Sequence, residues 1–519
     1  MTSRNADISV TIRPKTNGTG LARGVGLVRS TRSCAARTCL PGLRVMRHLL
    51  GLMLVCALGV LPLLGCGQSA GDGVTGGAGG SGVAFPCTEE GILEAVAAGR
   101  GPHVFACDGP TTVVTLAEIA IENDVILDGE ERLTVDGNLD HRLFAVAEGV
   151  TAELRGFVVT RGVAPLGGAI WNAGVLTLTN TTVSRSSAAE GGGIHNVKAG
   201  TMSLVNARVL ENDADLGGGI FNDGTLTAVR TLVSENTVAG SGAGIFNERV
   251  LTLAGSTVSD NTAGGAGGGI SNVPGGAGGD GLGSLTLINS DVSWNTADFN
   301  GGGISSHGVV TLTGSTVSRN LSGSGGGIYN RGTLTGASSS VWGNSTQSCG
   351  GGIDNDGTVT LTNVTISGNT AELCGGGIYN QTLLTVTSST LAGNGAIRGD
   401  ALASDVAGRG GATSLANTLI HGDCDSDTPL ISNGYNIESL GDTCGLDEAK
   451  GDQVGVTVQE LDLGPLEDNG GSAQTHAITT DSAAFNAIPE PMCQLGEDER
   501  GVTRPQGSAC DVGAFELAL

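Results

Sequence analysis

The sequence is poor in aromatic residues, in charge and in proline. Of its 519 residues, 3% are aromatic and 15% are charged, whereas 39% are hydrophobic. A chain with this much aliphatic surface to bury is not intrinsically disordered. The shortage of aromatic residues argues against a conventional globule and favours a core of small aliphatic side chains. Only 13 prolines accompany 90 glycines, without a Gly-X-Y period, and this excludes collagen.

Basic residues are scarce after the first 65 positions. Residues 1–65 hold nine basic residues and one acidic residue, whereas residues 66–519 hold 17 basic and 50 acidic residues. The only lysines of that second part are Lys198 and Lys450. A protein that binds nucleic acid needs clustered basic residues to neutralise phosphates. We therefore expect no nucleic-acid partner.

A short apolar run lies near the N-terminus and ends at a cysteine. The short basic segment Met46-Arg47-His48 precedes the apolar residues 49–64, and the run closes on Leu63-Leu64-Gly65-Cys66. This order is typical of a secretory signal peptide, and its last four residues resemble a bacterial lipobox, in which the cysteine is lipidated. A transmembrane helix is the weaker alternative, because the run has 16 residues rather than the ~20 that span a bilayer.

The N-terminal residues therefore predict export and anchoring. Residues 46–65 are the predicted lipoprotein signal peptide, and residues 66–82 are a Gly/Ser-rich tether that follows the lipidated Cys66. Residues 1–45 are interpreted as upstream sequence or an extended n-region without structure. The predicted protein is an exported, membrane-anchored lipoprotein of the outer membrane or cell surface, with the membrane as its partner through the N-terminal lipid.

A Gly-Gly-(Gly/Ala)-Ile-x-Asn unit recurs along the middle of the chain. Successive isoleucines lie 24 to 26 residues apart, except for one interval of 34 that contains a glycine-rich insertion. Nine units at one period indicate a solenoid. The isoleucines are Ile170, Ile194, Ile220, Ile245, Ile270, Ile304, Ile328, Ile353 and Ile378.

Each unit reads as three short strands separated by Gly, Asn and Ser, and this predicts an all-β chain. We predict a right-handed parallel β-helix of about 12 coils over residues 111–420, because equivalent residues would stack ~4.8 Å apart into aliphatic columns. Two asparagine columns, beginning at Asn172 and Asn212, should hydrogen-bond from coil to coil. A helical cap is predicted within residues 83–110, with Ile92, Leu93 and Val96 on its buried face, and a disulfide-containing β region over 421–519.

Apart from the lipidated Cys66, the exported part holds eight cysteines, an even number that is typical of a disulfide framework. Eight cysteines allow 105 pairings, and spacing favours Cys87 with Cys107, Cys349 with Cys374, Cys424 with Cys444, and Cys493 with Cys510. The pair at 349 and 374 precedes two consecutive glycine motifs, so its members should occupy the same position on adjacent coils. No cysteine spacing is typical of zinc, and we predict no metal site and no cofactor.

Two family resemblances follow from these motifs. The repeat resembles that of polymorphic outer membrane proteins on a pectin-lyase-like β-helix. The C-terminal segments Thr475-His476-Ala477, Arg504-Pro505 and Cys510-Asp511-Val512-Gly513-Ala514-Phe515-Glu516 resemble the choice-of-anchor Q domain proteins. Both resemblances imply a surface protein built on a parallel β-helix.

The position between Ile and Asn of the repeat should point outward and form a column of its own. This column gathers aromatic residues, which could stack sugar rings or a partner's surface, or could stack on each other and stiffen the sheet. Only His195 and Asp354 in the column titrate, and they lie far apart along the stack. The candidate ligand-binding residues are Trp171, His195, Phe221, Phe246, Tyr329 and Tyr379.

These observations favour a non-catalytic, surface-displayed lipoprotein of adhesin or structural type, which binds glycan or a cell-surface ligand of another cell along the β-helix. The alternative is a secreted carbohydrate-active enzyme, either a polysaccharide lyase or a glycoside hydrolase. Such an enzyme needs carboxylates, or a carboxylate-held Ca²⁺ and a base, on adjacent coils. We find no such constellation on the repeat faces and assign no catalytic residue.

Overall fold

The computed structural model describes residues 84–275, 281–404, 411–427 and 429–518. These residues form a right-handed parallel β-helix of about 13 turns, which confirms the predicted fold class. The predictions for the signal peptide, the lipidated Cys66 and the tether fall on residues 1–83 and lie outside the described residues. No helix among the described residues is long and apolar enough to cross a membrane.

The Ile-x-Asn motifs build the first of three parallel sheets, called here the Ile-x-Asn sheet. Its strands pair in register, so that each isoleucine lies over the isoleucine of the preceding coil. Its described strands are Ile119–Ile121, Phe144–Val146, Ile170–Asn172, Ile194–Asn196, Ile220–Asn222, Ile245–Asn247, Ile270–Asn272, Ile304–Ser306, Ile328–Asn330, Ile353–Asn355, Ile378–Asn380, Leu402–Ser404 and Cys424–Ser426.

The second sheet carries two strands from most coils, separated by a corner, and is called the long sheet. Alternating Leu, Val and Thr residues place aliphatic side chains inside and polar ones outside. Its described strands are Phe85–Pro86, Arg100–Ala106, Thr111–Val114, Val125–Asp136, Thr151–Thr160, Val175–Thr179, Thr182–Ser184, Thr201–Val205, Arg208–Leu210, Thr225–Val229, Leu232–Ser234, Val250–Ala254, Thr257–Ser259, Ser284–Ile288, Asp291–Ser293, Val309–Thr313, Thr316–Ser318, Thr333–Trp342, Thr358–Ser367, Leu383–Thr387, Thr390–Ala392, Ala412–Ala416, Leu419–His421, Ile431–Ser432, Ile437–Ser439 and Gln453–Val456. The last two of these strands continue the parallel pairing of the preceding coils. The coils therefore extend beyond residue 420, the predicted end of the β-helix.

The third sheet is formed by the shortest strands and follows the second asparagine column. Its described strands are Ser187–Glu190, Asp213–Leu216, Thr237–Val238, Thr262–Ala263, Thr296–Ala297, Leu321–Ser322, Ser345–Thr346 and Thr370–Ala371. The glycine motif connects this sheet to the Ile-x-Asn sheet. At the last glycine of one motif, Gly219, an added Cβ would lie 2.6 Å from the carbonyl oxygen of Gly244 and 3.1 Å from Asn236 Nδ2, so a side chain has no room there.

The two asparagine columns form buried hydrogen-bond ladders, as predicted. In the first, Asn172 Nδ2 donates to Asn196 Oδ1 at 2.8 Å, and Asn196 Nδ2 to Asn222 Oδ1 at the same distance. In the second, Asn212 Nδ2 donates to Asn236 Oδ1 at 3.0 Å, and the pattern continues to Asn394. The ladders satisfy polar groups that turn inward at corners, because each amide meets its own copy one coil away.

A short helix, Glu89–Ala98, covers the N-terminal end of the stack. Thr88 Oγ1 accepts a hydrogen bond from Gly91 N, and Gly99 ends the helix with a φ of 60°. Ile92 and Val96 are buried, as predicted, but Leu93 is 46% exposed. The prediction for Leu93 was wrong, because Ala95 rather than Leu93 lies on the buried face of the helix.

The chain after the last coil folds back onto the long sheet. It contains two antiparallel ribbons, Leu463–Glu467 with Thr475–Ile478 and Ile488–Pro489 with Ala509–Cys510. Three short helical turns accompany them: Glu448–Lys450 and Val458–Leu461 precede the first ribbon, and Glu490–Met492 lies between the two strands of the second. The four predicted cysteine pairs are joined as disulfides, and the Cys349–Cys374 bridge links adjacent coils at a Cα–Cα distance of 4.6 Å.

Candidate functional site

The predicted aromatic column lies on one face of the Ile-x-Asn sheet. Trp171, His195, Phe221 and Phe246 occupy the same position on consecutive coils. The His195 and Phe221 rings stack with centroids 4.8 Å apart, and the Phe221 and Phe246 rings stack at 5.1 Å. The register therefore places these side chains together as the sequence predicts.

These side chains are less exposed than those of an outward-pointing column would be. His195, Phe221 and Phe246 are 6%, 6% and 8% exposed, and Trp171 is half-buried. Each ring lies against its neighbours on the adjacent coils and, at Phe246, against the glycine corner at Gly242. At these three positions little ring surface is therefore left for a ligand to contact. The arrangement is that of the alternative, in which the rings stack on each other.

His195 is held as a neutral group within this stack. Its Nδ1 lies 3.8 Å from Glu190 Oε2. Burial is the main effect on the imidazole and lowers the pKa of His195 below its ordinary value, against the opposing effect of a hydrogen bond with the Glu190 backbone. At neutral pH the ring therefore stacks without a charge that would need compensation.

The C-terminal part of the same column holds a buried carboxyl between two tyrosines. Asp354 pairs in register with Tyr329 on one side and Tyr379 on the other. Ser324 Oγ donates to Asp354 Oδ2 at 2.5 Å, and Gln381 Nε2 donates to Oδ1 at 3.4 Å. Burial raises the pKa of Asp354 to about 6. A carboxyl in this range could exchange a proton near neutral pH.

An acid–base reaction also needs a second group within reach of the first. Five strands of the Ile-x-Asn sheet separate His195 from Asp354, so the two titratable residues of the column are not brought together. A shallow cleft beyond Tyr379 is lined by Cys374, Arg398, Ala403, Ser404 and Asp425. Its charged residues already pair with each other, since Arg398 Nε lies 2.6 Å from Asp425 Oδ2.

A group of buried charges lies in the C-terminal segment. Asp498 accepts from the Arg500 guanidinium and from the backbone N–H of Val502 and Glu516. Arg504 donates to the carbonyl oxygens of Asp511 and Gly513. All of these hydrogen bonds join two parts of the C-terminal segment. This geometry indicates a structural role for the motif that resembles the choice-of-anchor Q proteins.

Two further contacts attach this segment to the coils. Thr365 Oγ1 donates to Glu499 Oε2 at 2.5 Å, and His476 Nε2 lies 2.8 Å from Ser367 Oγ. Glu499 is 3% exposed, and its burial raises the pKa well above the ordinary value. Among the described residues, no group of three or more His, Cys, Asp or Glu side chains is arranged to hold a metal ion.

Sequence reasoning missed a cation–aromatic stack at a corner of the coils. The Arg319 guanidinium carbon lies 4.9 Å from the ring centre of Trp294 and 4.5 Å from that of Trp342. Trp294 is 56% exposed, and Arg319 is exposed as well. Comparing the residues that precede Asn295 and Asn320 in the second asparagine column would have placed Trp294 directly below Arg319.

The fold and these sites define a β-helical repeat protein with one buried and one exposed aromatic stack. Residues 363–381 match the family model described as the Chlamydia polymorphic membrane protein (Chlamydia_PMP) repeat. A comparison with curated proteins gives no match. Among solved structures, the chain is similar to the crystal structure of pectate lyase Pel9A, with 14% identity, 80% of this chain and 91% of that chain covered, and a TM-score of 0.29.

The match at residues 363–381 confirms the predicted likeness to the polymorphic membrane protein repeat for that coil. It spans the end of one strand of the long sheet, Cys374 and the following Ile-x-Asn strand. The resemblance to choice-of-anchor Q proteins and the lipidation of Cys66 stay predictions.

Proposed function

We propose that this chain is a non-catalytic binding protein of the adhesin type, exported and held at the outer membrane or cell surface by a lipid on Cys66. The repeat is the observation that carries the proposal. One coil matches the repeat of a membrane protein family, and structurally equivalent coils continue in register on both sides of it. A stack of this kind is a rigid scaffold that can present side chains along its length.

The proposal assigns separate roles to the parts of the chain. The lipid at Cys66 retains the protein, residues 66–82 give it reach, and the coils carry the binding surface. The buried ladders and stacked rings keep that surface in a fixed shape, which lowers the entropic cost of binding a partner.

The first experiment tests display. Cells that produce the full chain are compared with cells that produce Cys66→Ala, by membrane fractionation, fatty-acid labelling and antibody binding to intact cells. We expect the parent in the membrane fraction and accessible to antibody, and the variant released and unlabelled. Unchanged membrane retention and labelling of Cys66→Ala would reject the lipid anchor.

The second experiment separates binding from catalysis. The purified full chain is incubated with uronate-containing and neutral polysaccharides, and the products are assayed for new reducing ends and unsaturated sugars. The proposal expects neither product. Product formation that is lost in a carboxylate variant such as Asp354→Asn would place the protein among carbohydrate-active enzymes instead.

A further inference from the structure

The corner that precedes the second asparagine column is occupied by outward-facing polar residues in the early coils. Arg185, Glu211, Glu235 and Asp260 occupy it, all with positive φ. Where two of these residues have opposite charge they pair, since Arg185 Nε lies 2.7 Å from Glu211 Oε2. The corner is therefore a solvated edge of the stack over these coils.

The composition of this corner changes at the next two coils. Trp294 and Arg319 now occupy it, with φ values of 59° and 55°. Trp342, which pairs in register with Ser318, adds a second ring beyond Arg319. Two exposed aromatic rings, Trp294 and Phe299, belong to the same coil, and Phe299 is 65% exposed. Aromatic residues make up only 3% of the chain. This concentration of exposed aromatic surface is typical of an interaction site.

Arg319 differs from Arg185 in its partners. Within the described residues it has no hydrogen-bonded or ion-paired acceptor, whereas the two indole rings fix its guanidinium by cation–π contact. Stacking uses the faces of the guanidinium and leaves the N–H groups at its edge able to donate. An ordered arginine with its donors available recognises a carboxylate through two parallel hydrogen bonds.

Two features narrow the ligand further. The exposed edge of the Trp294 indole can contact the apolar C–H groups of a sugar ring next to that carboxylate. The 50 acidic residues of positions 66–519 disfavour a polyanionic chain, because each further carboxylate of the ligand meets a field of like charge. A ligand with one acidic ring fits better than a polyuronate.

We propose that Trp294, Arg319 and Trp342 form a binding site for a glycan that ends in a single carboxylate-bearing sugar. Arg319 receives the carboxylate and Trp294 packs against the ring. This inference rests on the proposed function and names a ligand class for it.

The test is a titration of the purified full chain with sialyllactose, followed by tryptophan fluorescence and by calorimetry. Two of the three tryptophans of the chain belong to the stack, so binding should change the emission. We expect saturable binding of sialyllactose and none of lactose, which lacks the carboxylate. Arg319→Gln and Trp294→Ala should each weaken binding about tenfold or more, the size expected for a charged hydrogen-bonded pair or an aromatic contact.

Arg185→Gln is the matched control, because Arg185 occupies the same corner and is already paired with Glu211. It should bind sialyllactose within about twofold of the parent, as expected for an exposed pair remote from the site. No saturable binding of sialyllactose, equal binding of lactose, or unchanged affinity in Arg319→Gln would overturn the inference. If cells producing the chain still adhere to a partner cell in that case, the proposed function stands and only this site is rejected.

Discussion

The repeated coils and the C-terminal segment satisfy their buried polar groups in opposite ways. The coils use neutral amides, as at Asn236, whose Nδ2 donates to Asn261 Oδ1 at 3.0 Å and whose Oδ1 accepts from Asn212. The C-terminal segment uses charges, as at Asp498, where the side-chain exposure is 0% and the Arg500 guanidinium lies 2.7 Å away.

The difference follows from repetition. A stacked side-chain amide donates to the next coil and accepts from the previous one. Asparagine alone can therefore satisfy the buried polar groups at this position in every coil. Charged residues cannot stack in this way, because like charges one coil apart repel. A segment that occurs once has no copy of itself to pair with and needs a complementary partner, which an aspartate and an arginine provide.

The largest effect is expected where a buried charge loses its partner. Asp498→Ala removes the acceptor of the Arg500 guanidinium, whose side chain is 9% exposed. Breaking a buried ion pair from one side costs about 3–5 kcal/mol. We expect urea denaturation to show that loss and limited proteolysis to cleave the C-terminal segment first. Asp213→Ala, at an exposed position of the third sheet, is the control, and equal stability of the two variants would contradict the prediction.

A somewhat smaller effect is expected for the buried ring stack. Phe221→Ala removes a ring that is 6% exposed and stacked on both sides. Truncating a buried phenylalanine costs about 3 kcal/mol or more. A fall of that size in the free energy of unfolding would support a structural column. A variant as stable as the parent would restore the column as a candidate binding surface.

The ladder should respond less, because only hydrogen bonds are lost. Asn236→Ala removes the ladder acceptor of Asn212 Nδ2 and the side-chain donor to Asn261 Oδ1. An unsatisfied buried group costs roughly 1–3 kcal/mol, and we expect about 2 kcal/mol in urea denaturation. Asn206→Gly, at an exposed corner with a φ of 51°, is the control and should change stability little. Equal losses of stability in both variants would show that a ladder asparagine contributes no more than an exposed one.

The smallest effect is expected at Asp354 and depends on pH. Its pKa rises from 3.8 to about 6 in the folded chain, so the folded state binds the proton more tightly than the unfolded state. Stability should therefore fall as pH rises from about 4 to about 6 and then level off. Asp354→Asn removes that fall. After allowing for a weaker bond to Ser324, it should stabilise the chain by about 1 kcal/mol at pH 7. An unchanged pH profile would contradict the assignment.

The coils could be predicted from the sequence because their contacts join residues one period apart. Ile220 and Ile245, or Asn222 and Asn247, are found by alignment alone. Exposure was harder, since the packing around Phe246 depends on the glycine corner and on the adjacent rings. The C-terminal network could not be found in this way, because Thr365 and Glu499 lie 134 residues apart and share no repeat.

The corner stack lies between these cases. Trp294 and Arg319 are 25 residues apart, which is the repeat spacing, so the sequence contains the signal for their contact. Trp342 is one residue out of that phase, because it precedes the corner glycine Gly343 rather than occupying the corner. Three-dimensional structure was needed to show that its ring still reaches Arg319.

We propose that this surface-displayed β-helix binds another cell without cleaving what it binds. The most direct measurement is adhesion of intact cells that produce the full chain, compared with otherwise identical cells that lack it, to a monolayer of sialylated epithelial cells. We expect greater adhesion of the producing cells, with the glycans of the monolayer unchanged in size. Equal adhesion of the two cell populations, or shortened glycans under the producing cells, would contradict it.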